Sequence, residues 1–171
     1  MLPLLALSLT AAPALSTASR LPPCSADQLS LAFDGEGGAF NGMSHGGTLL
    51  VIRNLGPKAC RMPGLPRLSF RDADGKPLPI VRKAPRGMHP GPVVVPVGVA
   101  AGAELTAPLR WVSGEVYDRS QCLTVASVAV QVAAGPVGTG TLQGGFAARI
   151  CGEAGSEVEF DQPGLRADPR L

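Results

Sequence analysis

The chain has 171 residues, about the length of one domain. Its net charge is +2 at pH 7, from 15 Lys and Arg against 13 Asp and Glu. That balance argues against the strongly basic face of a nucleic-acid binder and against an acidic tail. There are 22 glycines and 17 prolines, yet 45% of residues are hydrophobic and only 16% are charged, which favours a folded core over disorder.

Residues 1–19 carry no charged side chain, and Arg20 is the first. Leu2–Leu15 is rich in Leu and Ala and runs into the small residues Ala12-Pro13-Ala14 and Ser16-Thr17-Ala18. This reads as a secretory signal over residues 1–18, cleaved after Ala14 or Ala18. The run is too short for a membrane span. Leu21-Pro22-Pro23 is a poor match to the small residues that precede a lipid-modified cysteine.

Beyond the leader, short apolar runs are interrupted by Gly and Pro every 8–12 residues, the pattern of an all-β sandwich or barrel. Leu29–Phe33 alternates as a first strand, and Gly35–Gly38 turns the chain. Gly47–Asn54 holds the continuous run Leu49-Leu50-Val51-Ile52, as in a buried strand. Asn54-Leu55-Gly56-Pro57 is turn chemistry. Leu68–Arg71 is a short strand, Asp72-Ala73-Asp74-Gly75 a hairpin turn, and Leu78–Arg82 the arm expected to return beside it. Pro85–Pro92 is a loop. Val93–Val97 is a strand that its flanking prolines assign to a sheet edge, and Gly98–Gly102 is a turn.

Leu105–Val112 sets Leu105, Ala107, Leu109 and Trp111 on one face. Ser113–Gln121 is a loop holding Tyr117. Leu123–Val132 sets Val128, Val130 and Val132 on one face, and Thr141–Cys151 closes the domain. The expectation is one all-β domain over residues 24–151, an antiparallel sandwich of about eight strands. A partly flexible tail over 152–171 follows. Val93–Ala103 and Val125–Ala134, the longest apolar stretches, are too short to cross a membrane as helices.

Four cysteines follow the leader: Cys24, Cys60, Cys122 and Cys151. An even number in an exported chain points to disulfides, and four cysteines allow three pairings. The spacings favour the sequential pairing, Cys24–Cys60 and Cys122–Cys151. No two cysteines stand at zinc-ligand spacing, and His45 and His89 are not paired, so neither a metal nor a cofactor is expected.

Several residues invite a chemical reading. Gly42-Met43-Ser44-His45-Gly46 fits G-x-S-x-G, which in a hydrolase needs Ser44 on a strand-to-helix turn. A strand-like run follows instead, and His89 is the only later histidine. Asp72 and Asp74 lack a distal Glu for a calcium loop. Arg82, Lys83 and Arg86 form an ordinary solvated cluster. Trp111 is expected in the core, shielding a disulfide.

The run Gly42-Met43-Ser44-His45-Gly46-Gly47-Thr48, then Arg53-Asn54-Leu55-Gly56, Ala59-Cys60, Gly64-Leu65-Pro66 and Asp72-Ala73-Asp74-Gly75, resembles an exported bacterial family catalogued as domain of unknown function 4232. The likeness runs from about Cys24 to Cys151, with Arg149-Ile150-Cys151 in keeping with the family's last strand. Val97–Gly102 is looser than the family's usual Pro-Gly turn. The resemblance implies an immunoglobulin-like sandwich with two disulfides, and no activity. The functional expectation is an exported, monomeric, non-catalytic binding or accessory module. Its partner would be an envelope protein or glycan, contacted through loops 34–47, 83–92 and 113–121. A purely structural or stress-related factor is the alternative, and a serine hydrolase using Ser44 a remote one.

Overall fold

The computed structural model describes residues 17–83, 94–133 and 140–167. Most of the expected leader and all of the loop Pro85–Pro92, with Arg86 and His89, lie outside the described residues. The chain is all-β, with eleven strands among those residues. These are β1 (Leu29–Asp34), β2 (His45–Asn54), β3 (Cys60–Met62), β4 (Arg67–Arg71), β5 (Ile80–Arg82) and β6 (Val97–Val99). Then come β7 (Glu104–Val112), β8 (Ser120–Gln131), β9 (Thr141–Glu153), β10 (Val158–Asp161) and β11 (Arg166–Ala167).

One sheet runs β1-β2-β7-β10-β5, with β11 also on β7, and a second runs β4-β8-β9. β3 and β6 form a separate ribbon. Pairing is antiparallel except between β10 and β5, which run parallel.

Period-two burial builds the core. Leu50 and Ile52 of β2 are fully buried, while Leu49 and Val51 on the outer face are half-buried, so β2 alternates where a continuous buried run was expected. On β7, Leu105, Ala107, Leu109 and Trp111 face inward, as their spacing predicts. β8 keeps Val128 and Val130 inside, and Val132 just past its end is buried with them. Its register against β9 shifts between Val125 and Ser127, so Val125 and Val128, three apart, are both buried.

The two sheets meet on an aromatic cluster. Phe146 of β9 packs on Phe33 at 4.8 Å, Trp111 at 5.5 Å and Phe70 at 5.7 Å between ring centroids, and Phe70 packs edge-on to Phe160 at 5.0 Å. Such pairs add roughly 0.5–1.5 kcal/mol each beyond their area burial. Trp111 is thus in the core, as expected.

Both disulfides form in the sequential pairing, Cys24–Cys60 and Cys122–Cys151, and no cysteine is free. Cys122 and Cys151 stand opposite one another on β8 and β9. Cys24 is set beside β3 by its N–H, which donates to Arg61 O at 2.8 Å. Closing loops of this length restricts the unfolded chain by about 3–4 kcal/mol per bridge.

Three expectations change. Of the strand expected at Val93–Val97, Val93 lies outside the described residues and 94–96 form no strand; the strand is Val97–Val99, paired with β3. The domain does not stop at Cys151: β10 is inserted between β7 and β5, with Val158, Phe160 and Leu165 buried. The hairpin at Asp72–Gly75 forms, with Asp72 Oδ1 accepting from Asp74 N at 3.1 Å and Lys76 N at 2.8 Å. Its arms pair only as far as Pro77 and Leu78, and then part. β4 joins β8, while β5 crosses to β10 in the other sheet.

Candidate functional site

The best-built surface lies at one end of the sheets, where β2 begins, β7 ends and β9 gives way to β10. The connection from β1 folds back through a two-residue turn. Gly42 N donates to His45 O at 3.1 Å, and His45 N donates to Gly42 O at 2.8 Å. Met43 (φ 39°) and Ser44 (φ 67°) are both left-handed. Tight hairpins want this geometry but normally take it with Asn and Gly, and each side chain held there costs roughly 1–2 kcal/mol.

Three contacts hold the turn. His45 Nδ1 lies 3.1 Å from Met43 O. Ser44 O accepts from Ser113 N at 2.7 Å and Gly114 N at 3.2 Å. Two of the loops expected to carry binding, 34–47 and 113–121, are therefore joined through Ser44.

The Gly46-Gly47 pair that follows is explained by close approach. A side chain at 46 would meet Trp111 Nε1 at 2.8 Å, and one at 47 would meet Phe40 Cβ at 2.6 Å. The indole and the Phe40 ring occupy that space on β2. Arg110 sits over Phe40, its guanidinium carbon 5.3 Å from the ring centroid.

The 113–121 loop is pinned from β9. Arg149 Nη2 donates to Glu115 Oε1 at 2.6 Å and Nη1 to Ser113 O at 3.3 Å. Gln121 Nε2 donates to Glu153 O at 3.1 Å and Ser156 O at 2.7 Å, which adds the β9–β10 turn to the same end. Three apolar side chains of these loops stand in solvent among charged neighbours such as Glu115, Asp118 and Arg119: Met43 is 96% exposed, Val116 50% and Tyr117 40%.

Beside them lies a cleft of about 260 Å³, lined by His45, Trp111, Tyr117 and Lys83, and by acidic residues that include Glu157 and Glu159. Among the described residues no three of His, Cys, Asp and Glu gather to hold a metal ion.

The G-x-S-x-G match takes a different form from a nucleophile elbow. Ser44 lies at a hairpin tip leading into β2, with no helix behind it. The His45 ring turns to Met43 O rather than to the Ser44 hydroxyl. The Asp72–Asp74 turn is spent on its own backbone, through Asp72 Oδ1. The four predicted cysteines are brought together in pairs and serve as staples. Sequence reasoning missed the part that the β9–β10 turn plays in this surface. Acidic residues followed by Gly and Pro read there as a loose end.

Fold and surface together define a disulfide-braced all-β domain that presents a loop cluster with three exposed large apolar side chains at one end. The chain belongs to the family described as Domain of unknown function (DUF4232), whose model matches residues 24–161. That match ends with β10, consistent with a domain that continues past Cys151. No curated protein and no solved structure matches the chain. Among the described residues no helix is long and apolar enough to cross a membrane.

Proposed function

We propose that this chain is an exported, non-catalytic binding domain of the cell envelope or extracellular space, with an immunoglobulin-like sandwich as its scaffold. Its partner is an envelope protein, contacted through Met43, Val116 and Tyr117. The carrying observation is the turn at Met43-Ser44. A hairpin tip that only needed to turn would use Asn-Gly, whereas this one bears the strain of two left-handed side chains and leaves a methionine in solvent. Met and Tyr are residue types enriched at protein interfaces. Two disulfides suit an oxidising compartment.

A photo-crosslinking amino acid at position 43 tests the reading, with position 55 as control. Leu55 is also exposed, but lies beyond the far end of β2. One discrete protein band from envelope extract, present from position 43 and absent from 55, is the expected result. Equal labelling from both positions, or none from either, contradicts it. Glycan recognition is the second reading, since Tyr117 lines a cleft that also holds carboxylates. Binding that survives Met43→Asp and is lost with Tyr117→Ala would favour it. Labelling of Ser44 by a fluorophosphonate would instead revive the hydrolase.

A further inference from the structure

The cleft at the loop end lies where two strands part. β10 pairs with β7 only at Phe160 and Asp161, opposite Trp111 and Arg110. Nearer the loops it leaves β7 for β9: a side chain at Gly152 would meet Val158 Cα at 3.3 Å and Glu157 O at 3.4 Å. Trp111 and Val112 from the end of β7, and Glu157 and Glu159 from the start of β10, all line the cleft of about 260 Å³.

Its charge is unbalanced. Glu153, Glu157, Glu159 and Asp161 line it against one lysine, Lys83. All five are exposed, and none belongs to an ion pair among the described residues. Four unpaired carboxylates around one cleft, in a chain whose net charge is +2, favour a cation supplied from outside. Tyr117 adds an aromatic side chain that a partner can touch, being 40% exposed. A guanidinium or ammonium is the group that carboxylates and an aromatic face both attract. Trp111 also lines the cleft, with only 9% of its surface exposed, and among the described residues nothing accepts from its Nε1–H. An indole donor so deeply held normally has an oxygen partner.

We infer that the cleft receives a basic side chain, arginine or lysine, of the protein partner. This rests on the reading of the loop end as a protein-binding surface, and names what that partner must present. The charged head meets Glu157 and Glu159, the apolar stem lies along Tyr117, and a main-chain carbonyl beside it accepts from Trp111 Nε1. A neutral glycan would use the Tyr117 ring but leave the surplus of carboxylates unanswered.

Trp111 is the only tryptophan of the chain, so its indole signal reports on this cleft alone. The test titrates the full oxidised chain with acetyl-glycyl-arginyl-glycinamide, with its lysine counterpart, and with the citrulline peptide, which keeps the shape of arginine without the charge. Expected are saturable shifts of the Trp111 indole N–H and the Glu159 amide with both basic peptides, and binding at least fivefold weaker with citrulline. The Glu157→Gln/Glu159→Gln double variant and Tyr117→Leu should each weaken arginine binding at least threefold. These side chains are exposed, so the variants should fold, and the citrulline comparison needs no variant. Equal binding of the citrulline peptide, or no saturable shift with either basic peptide, overturns the inference. So does displacement by chitohexaose, which would assign the cleft to glycans. The cross-link from position 43 separates this failure from that of the underlying reading. A product formed equally well by the Glu157→Gln/Glu159→Gln variant removes the basic side chain and keeps the binding surface, whereas no product from the unsubstituted chain removes the surface itself.

Discussion

Asn54 is fully buried and fully used. Its Nδ2 donates to Lys58 O at 2.9 Å and Val99 O at 3.2 Å, while its Oδ1 accepts from Gly56 N at 2.9 Å and Gln28 Nε2 at 3.3 Å. One carboxamide thus ties the end of β2 to its own turn, to β6 and to the segment before β1. Asn54→Leu removes these bonds and leaves the two carbonyls and the Gly56 amide unmet. With orphaned groups costing about 1–3 kcal/mol each, a loss of roughly 2–4 kcal/mol is expected in urea unfolding after partial relaxation. A loss below about 0.5 kcal/mol would mean that water replaces the carboxamide. The sequence marks Asn54 as a turn former but holds no sign of its reach to Val99, which is 45 positions away. Met43 and Ser44 run the other way, as residues that cost stability. Met43→Asn with Ser44→Gly should stabilise the domain by about 1–2 kcal/mol. It should also abolish partner capture at the loop end. A stabilised variant that still captures the partner would separate the strained turn from binding.

At the scale of elements, strand length decides what the sequence reveals. β7 and β8 are long enough to express a period of two, so their inward faces were readable from Leu105 to Trp111 and from Val128 to Val132, whereas the unbroken run Leu49-Leu50-Val51-Ile52 hid the alternation of β2. β3 and β11 have only three and two residues, too few to establish a period, and the alternation of β10, Val158-Glu159-Phe160-Asp161, lasts only four residues. Asp-Gly signals that the chain turns, but not that the returning arm will join the other sheet. Pro108 in the middle of β7 would ordinarily argue against a central strand. It fits because β10 pairs at Arg110 and Trp111, β11 pairs at Leu105 and Thr106, and the proline falls between them. β10 also carries the sharpest prediction at this scale. A chain ending at Cys151 loses the burial of Val158, Phe160 and Leu165, at roughly 1.5–3 kcal/mol each, a large share of a domain's usual 5–15 kcal/mol. Such a truncation should lose its near-ultraviolet dichroism from Trp111. Retention of that signal with a cooperative melt would make β10 dispensable.

For the whole molecule, the scarce aromatics are concentrated where the sheets meet. Phe146→Ala opens a cavity beneath Phe33, Phe70 and Trp111 and should cost about 3–5 kcal/mol, read from the urea midpoint at unchanged slope. The bridges act at complementary places. Cys24–Cys60 clips the segment before β1 to the β3–β6 ribbon, and Cys122–Cys151 locks β8 to β9 below the loop end. Their pairing was readable from spacing. The loops bet on at 34–47 and 113–121 do come together, but their joint with the β9–β10 turn depends on long-range bonds such as Gln121 to Ser156, which leave no local pattern. A rigid scaffold braced in this way can hold a strained hairpin in solvent, and the binding role rests on that rigidity. Mass mapping of non-reduced peptides from protein recovered natively from its envelope tests this most directly. The expected result is Cys24 linked to Cys60 and Cys122 to Cys151, with no alkylatable thiol. Reduced cysteines, or a bridge between the two pairs, would contradict it.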